Sequence, residues 1–159
     1  GLVLLLLASA TAALAETPYA VGDRVAPFEL EDQHGTPRAL DASVRRVLFS
    51  RDMDGGDILR EAVADQDAAS LAKLGAVYVA DIHRMPGLVA RFIAVPRMRD
   101  RAYPVLLDRD GEATARLPDR EGQVTILELD GLVLRAVHHL DSVAAVRAQL
   151  GLPPAGADE

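Results

Sequence analysis

Arg46-Val47-Leu48-Phe49-Ser50, followed after a helical stretch by Ala76-Val77-Tyr78-Val79-Ala80-Asp81-Ile82, decides the fold. Each segment is a short, nearly continuous apolar run, the pattern of a strand buried on both faces of a sheet. Between them Ile58, Leu59, Ala62, Val63, Leu71 and Leu74 recur at roughly helical spacing, which predicts a helix from about Gly55 to Leu74 that Gly75 ends. Strand, helix and strand in about forty residues make a βαβ unit, with parallel strands and a right-handed crossover.

Upstream of this unit, Val21 to Leu40 reads as a strand around Phe28 to Leu30, a turn at Asp32-Gln33-His34-Gly35 and a returning stretch. Downstream, helical spacing returns at Leu88, Val89, Phe92 and Ile93, and then the pattern changes to short strands and turns. Tyr103 to Leu107 and Glu112 to Leu117 flank Asp108-Arg109-Asp110-Gly111, and Val124 to Leu129 and Leu132 to His138 flank Asp130-Gly131. Both pairs are predicted as hairpins, because an Asp-Gly pair readily supplies the positive φ values of a type I′ turn. A last helix runs from Ser142, or from Asp141 as its cap, to Leu150, where Gly151, Pro153 and Pro154 stop it. The fold class is α/β, a central mixed β-sheet flanked by helices.

The first residues carry a different signal. Leu2 to Leu7 form an apolar run and Ala13-Leu14-Ala15 supplies the small-x-small pattern of a signal peptidase site, so residues 1–15 are expected to be a signal peptide cleaved after Ala15. That stretch is short of the roughly 20 apolar residues a bilayer span needs, so no stable membrane anchor is expected after cleavage. The expected organisation is a domain over 16–152 and a flexible C-terminal tail over 153–159, in a protein of the periplasm or secreted. There is no cysteine, so an exported chain forgoes disulfide staples and must be held by its core. A net charge of −7 argues against nucleic acid as a partner. Lys73 is the only lysine, which leaves Schiff-base chemistry a single candidate on an Ala-rich helix.

The stretch Val21-Gly22-Asp23-Arg24-Val25-Ala26-Pro27-Phe28-Glu29-Leu30 with the later Gly35, and the turns Asp108 to Gly111 and Leu129-Asp130-Gly131, resemble the alkyl hydroperoxide reductase and thiol-specific antioxidant branch of the thioredoxin-like superfamily. The order βαβ then ββα is similar to the core of that superfamily, and the resemblance covers about Val21 to Leu150. It implies a thioredoxin-like fold. It also implies where chemistry would lie, because members place a reactive cysteine just after the first core strand, where a helix N-terminus stabilises the thiolate. Here Asp54 and Asp57 stand where a Cys-x-x-Cys pair would stand, and Glu121-Gly122-Gln123-Val124-Thr125 stands where the family carries its cis-proline. Both halves of the redox apparatus are absent, so the chain resembles the cysteine-less exported bacterial members.

Candidate sites follow from this edge. Asp52, Asp54 and Asp57, with two glycines among them, could fold around a hard cation such as Ca²⁺, although position 12 counted from Asp52 is Val63 and the EF-hand pattern fails. The alternative is that they cap a helix and complement its dipole. Asp81 and His83 end the second core strand on the same edge, where ligands of parallel α/β sheets gather. His138-His139 lies on or just past a strand, where neighbours point to opposite faces and cannot chelate together. Ser50 lacks the Gly-x-Ser-x-Gly turn and base of a nucleophilic serine. No Gly-x-Gly-x-x-Gly follows a strand and Gly55-Gly56 is not a phosphate loop, so flavin or nicotinamide dehydrogenase chemistry has no motif and no cofactor is expected. Arg84, Arg91, Arg97, Arg99 and Arg101, with Met85 and Met98, form a basic stretch of the kind favoured at interfaces, or a solvated connection.

The sequence therefore points to an exported non-redox protein built on a redox fold, acting as a binding or interaction module for a periplasmic protein or a small ligand. The alternatives are a metal or small-ligand site at the Asp52, Asp54, Asp57, Asp81 and His83 edge, and an enzyme of non-thiol chemistry.

Overall fold

The computed structural model describes residues 16–157, so the expected signal peptide over 1–15 lies outside the described residues. The chain begins with a hairpin of β1 (Phe28–Glu31) and β2 (Pro37–Leu40). The main sheet follows from β3 (Arg46–Ser50), β4 (Ala76–Asp81), β5 (Val105–Asp108), β6 (Val124–Asp130) and β7 (Val133–Leu140), in the order β5-β4-β3-β6-β7. β3 is parallel to β4 and antiparallel to β6, which makes the sheet mixed. Its central place explains its composition: Val47, Leu48 and Phe49 are wholly buried because both faces of the strand are covered.

Alternation along the strands divides the core into two layers. Leu48, Tyr78, Ala80, Val105, Leu107 and Ile126 face the helices, packing with Leu59 and Ala62 of α1 (Met53–Ala62), Leu71 of α2 (Ala68–Lys73) and Val146 and Leu150 of α5 (Val143–Leu150). Val47, Phe49, Val79, Leu106 and Leu127 face the other way, onto Tyr19, Val25, Leu40, Val44 and Leu117. The N-terminal segment thus supplies the second cover.

Three expectations need correction. The single helix from Gly55 to Leu74 is two helices, because Asp67 starts a new one: its carboxylate accepts from Ser70 N at 2.8 Å while Ser70 Oγ accepts from Asp67 N at 2.8 Å, a reciprocal capping box. In the intervening turn Arg147 of α5 forks onto Asp65 at 2.9 and 3.0 Å and donates to Ala62 O, and that guanidinium draws the Asp65 carboxyl down to about 2. The same side chain donates to Pro153 O at 2.6 Å, fastening the first residue of the expected tail.

The hairpin expected between Tyr103–Leu107 and Glu112–Leu117 does not form. β5 pairs parallel with β4, and residues 109–117 make a loop wound on the buried Asp108, whose carboxylate accepts from Gly111 N at 2.9 Å and from Thr114 N and Oγ1 at 2.8 Å each. The third correction is one of register. The β6–β7 hairpin forms, but its two positive-φ residues are Gly131 and Leu132, because Asp130 already pairs with Val133. Leu132 takes the left-handed region at a cost of about 1–2 kcal/mol because its side chain is buried in the second layer.

Between β4 and β5 the chain forms one irregular helical run: α3 (Gly87–Val89), a π-helical turn (Ala90–Ala94) and α4 (Val95–Met98). Only Ala90 and Val95 are buried in it. Among the described residues no helix is long and apolar enough to cross a membrane.

Candidate functional site

The edge singled out by the sequence is where β3 and β4 end and α1 begins. Asp52, the N-cap of α1, accepts from Gly55 N at 2.8 Å with one oxygen and from Gly122 N at 2.8 Å with the other. One carboxylate therefore satisfies the helix N-terminus and ties to it the loop before β6. That loop presses close: a Cβ on Gly55 would lie 2.5 Å from Gln123 O, so the first turn of α1 tolerates only glycine there. The place where the resemblance puts a thiol beside a cis-proline is occupied by backbone held to backbone through an aspartate.

The cation cradle is not assembled. Asp52 is engaged by two N–H groups, Asp54 is exposed in the first turn, and Asp57 turns to Arg60 at 3.1 Å. Among the described residues no group of three or more histidines and carboxylates is placed to hold a metal ion. Asp52 and Asp54, two positions apart, do not face each other, and Asp57, one turn on from Asp54, is taken up by Arg60.

Asp81 and His83 do meet. His83 Nδ1 lies 2.5 Å from Asp81 Oδ1, which also accepts from His83 N at 3.0 Å, and the ring packs on Gly111, where a Cβ would come within 2.7 Å of Nδ1. Asp81 is buried, and its second oxygen faces Arg51 Nε at 3.7 Å, an ion pair too long for a hydrogen bond. These two buried atoms have no hydrogen-bond partner. Arg51 is the hub that sequence reasoning missed: it donates to Thr114 O at 2.7 Å and Leu117 O at 3.1 Å, pairs with Asp119 at 3.4 Å and stacks over Phe49 at 5.2 Å. Nothing in the spacing marks it, whereas Asp108 was detectable as the first residue of an Asp-x-x-Gly turn. Chemically the edge presents an imidazole oriented by a carboxylate.

Ser50 is buried at the helix-facing end of β3, with no base in contact. It lies under Tyr78, whose phenol burial pushes up to about 12, and Tyr78 stacks on Tyr103 with ring centroids 5.8 Å apart. His138 and His139 part company as expected: His139 meets Thr125 Oγ1 at 3.0 Å, and His138 faces Glu128 at 3.7 Å. Burial lowers the His139 pKa.

The arginine stretch divides in two. Arg101 lies over the Tyr78 ring at 5.7 Å and the exposed Arg99 donates to Gln33 O at 3.3 Å, so both anchor the irregular helix. Gln33, itself buried, completes the anchor by donating to Tyr103 O at 2.8 Å and accepting from Val105 N at 2.8 Å. Arg84, Arg91 and Arg97 are exposed, with Arg91 over Phe92 at 5.3 Å. Beside them Leu88, Phe92, Ile93 and Val89 are 74%, 64%, 46% and 38% exposed. The helical spacing expected there is present, but Ala90 and Val95 take the core contact and the larger residues point outward.

No protein-family model matches the sequence, and no curated protein matches it. Solved structures do. The chain is similar to the peroxidoxin BcpB of Mycobacterium tuberculosis, with 26% identity over 82% of this chain and 92% of that one, at a TM-score of 0.53. A hypothetical protein of Sinorhizobium meliloti 1021 is 23% identical over 77% of this chain and 71% of that one, at a TM-score of 0.51. The thioredoxin domain of a thiol-disulfide oxidoreductase of Bacteroides vulgatus, 13% identical, covers 83% of this chain and 99% of its own, at 0.50. The last two speak to the fold alone. The sheet order, the flanking helices and these neighbours agree: the chain has a thioredoxin-like fold, contains no cysteine and is similar to a peroxidoxin.

Proposed function

We propose that the protein is an exported, non-redox interaction module that engages a protein partner through the irregular helix between β4 and β5. The observation that carries the reading is the outward face of Leu88, Val89, Phe92 and Ile93, flanked by Arg84, Arg91 and Arg97. Scattered exposed apolar residues are ordinary, but four on one short helix form a patch of the sort that marks an interaction site. Arginine beside an aromatic ring is the composition of an interface core. A π-helical turn within it adds to the case, since such turns concentrate at functional sites. Export rests on the leader-like Leu2 to Leu7 and Ala13-Leu14-Ala15, and predicts a mature N-terminus at Glu16.

The test is site-specific photo-crosslinking from position 92 in the native organism. One protein captured reproducibly from position 92, and lost with Leu88→Ser in the same chain, is the expected result. Crosslinks that ignore Leu88→Ser would sink the reading. Purified protein is also expected to show no disulfide reductase or thiol-dependent peroxidase turnover, having no thiolate to carry either.

A second reading, small-ligand binding at the Asp81 and His83 edge, is favoured by the orphaned Arg51 Nε and Asp81 Oδ2. Nuclear magnetic resonance titration with small amides and carboxylic acids tests it: shifts confined to the backbone amides of His83, Gly111 and Thr114 support it, and a flat response removes it.

A further inference from the structure

At the opposite end of the sheet from α1, Arg45, Arg46, Glu128, Leu129 and Arg135 line a cavity of about 280 Å³. The residues arrive there by separate devices. Arg45 and Arg46 lead into and open β3, and each is held from behind by a carbonyl near the C-terminus of α2: Arg45 donates to Lys73 O and Arg46 to Leu74 O, both at 3.1 Å. The negative end of the helix dipole suits those guanidinium groups, and one contact each leaves most of their five donors unspent. Gly75 makes room, since a Cβ there would lie 2.5 Å from Arg45 Nε.

Arg135 arrives through a break in the ladder. Leu129 pairs with Leu134 and Glu128 pairs with Ala136, so Arg135 is an extra residue with no partner on β6. A bulge of this kind re-aims the side chain it carries, here toward the cavity. Among the described residues its polar side-chain contact is a loose one to Asp130 at 3.5 Å. The single acid in the lining, Glu128, is engaged from outside, by Gln149 at 3.4 Å and His138 at 3.7 Å. Three guanidinium groups and one carboxylate leave the cavity positive in a protein whose net charge is −7.

We infer that this cavity binds a compact oxyanion, a phosphate or carboxylate group, gripped by Arg45, Arg46 and Arg135. Guanidinium groups pair with such anions in a bidentate fork, which an ammonium cannot do. The volume falls just below the roughly 300–1,000 Å³ of pockets for drug-sized ligands, so the ligand is small. Leu129 is the only apolar lining residue, so charge rather than apolar contact carries the affinity.

Isothermal titration of the purified protein with inorganic phosphate and, separately, with succinate tests the inference, against sodium chloride at matched ionic strength. Saturable binding of either oxyanion, weakened at least tenfold by Arg135→Gln and unaltered by the remote Arg84→Gln, is the expected result. Phosphate binding without succinate binding assigns a phosphate group, and the reverse assigns a carboxylate. Arg45→Gln is expected to weaken binding as well, but it also loosens the end of α2, so Arg135→Gln on the exposed bulge is the deciding variant. Heat indistinguishable from that of chloride, or equal affinity in the wild type and Arg135→Gln, overturns the site.

Discussion

The α1 edge and the irregular helix between β4 and β5 differ in how their residues are spent. At the edge nearly every polar group is occupied by the protein itself: Asp52 binds two backbone N–H groups, Asp108 binds three donors, and Arg51 holds two carbonyls and an aspartate. On the helix Ala90 and Val95 reach the core, but Leu88, Val89, Phe92 and Ile93 stay exposed among the described residues, although Gln33, Arg99 and Arg101 fasten its end to the body. At the N-terminus of α1 and in the loop after β5, carboxylates supply the acceptors that backbone N–H groups need. The helix shows no comparable compensation.

The comparison breaks first if the edge proves dispensable. Asp108→Ala strips three donors of their acceptor, the two of Thr114 buried and that of Gly111 partly so, and each unsatisfied donor carries its own desolvation penalty, so a loss of about 3 kcal/mol or more is expected by chemical denaturation. Asp108→Asn keeps one acceptor oxygen and should recover part of it. If Asp108→Ala unfolds within 0.5 kcal/mol of the wild type, the 109–117 loop is not organised by this carboxylate. Asp52→Ala, which removes the cap and the tie to Gly122, is expected to cost about 1–2 kcal/mol. Asp54→Asn, on an exposed residue, should be nearly neutral and should leave melting temperature indifferent to Ca²⁺; a calcium-dependent rise would restore the cation site.

The anchor of the helix is open to a pH test. Burial raises the Tyr78 pKa from 10.0 to about 12, so the unfolded chain releases this proton at a pH where the folded one retains it. A folded-state pKa above the unfolded value stabilises fully below pH 10 and is lost as pH climbs toward 12. Unfolding free energy should therefore fall between pH 10 and 12, and Tyr78→Phe should flatten part of that slope while Tyr103, also raised by burial, keeps the rest. An unchanged slope in Tyr78→Phe would place the titration elsewhere.

What could be read in the sequence divides along the same line. The apolar runs of β3 and β4 and the last helix up to Gly151 are local signals, and local patterns suffice for elements whose burial is nearly complete. The edge was legible as a place but not as an arrangement. Asp52, Asp54 and Asp57 are neighbours in sequence that helix geometry separates, while Asp52 and Gly122, 70 residues apart, are the pair that touches. Arg51, Asp81 and Asp119 come together only through the sheet order, which no spacing reports. The arginines of the cavity were invisible for the same reason, since Arg135 reaches it only because β7 slips by one residue. Helical spacing at Leu88 to Ile93 pointed to the helix but not to the exposure of its larger residues, because period alone does not say what lies opposite.

The smallest expected effect on stability is the most informative about the helix. Leu88→Ser with Phe92→Ser replaces two side chains that are 74% and 64% exposed, so little buried area is lost and unfolding free energy should change by no more than about 0.5 kcal/mol. Were these residues part of the core, each truncation would cost several kcal/mol through transfer and cavity terms, a difference too large to mistake. Two readouts are needed together. Chemical denaturation should superimpose on the wild type, and crosslinking from the neighbouring Ile93 should lose its partner. Full stability with unaltered crosslinking would show that the exposed face is ordinary surface, whereas a large loss of stability would show that it packs against something in the folded chain. Either result removes the contrast between a self-satisfied edge and an unpartnered helix on which the functional reading depends.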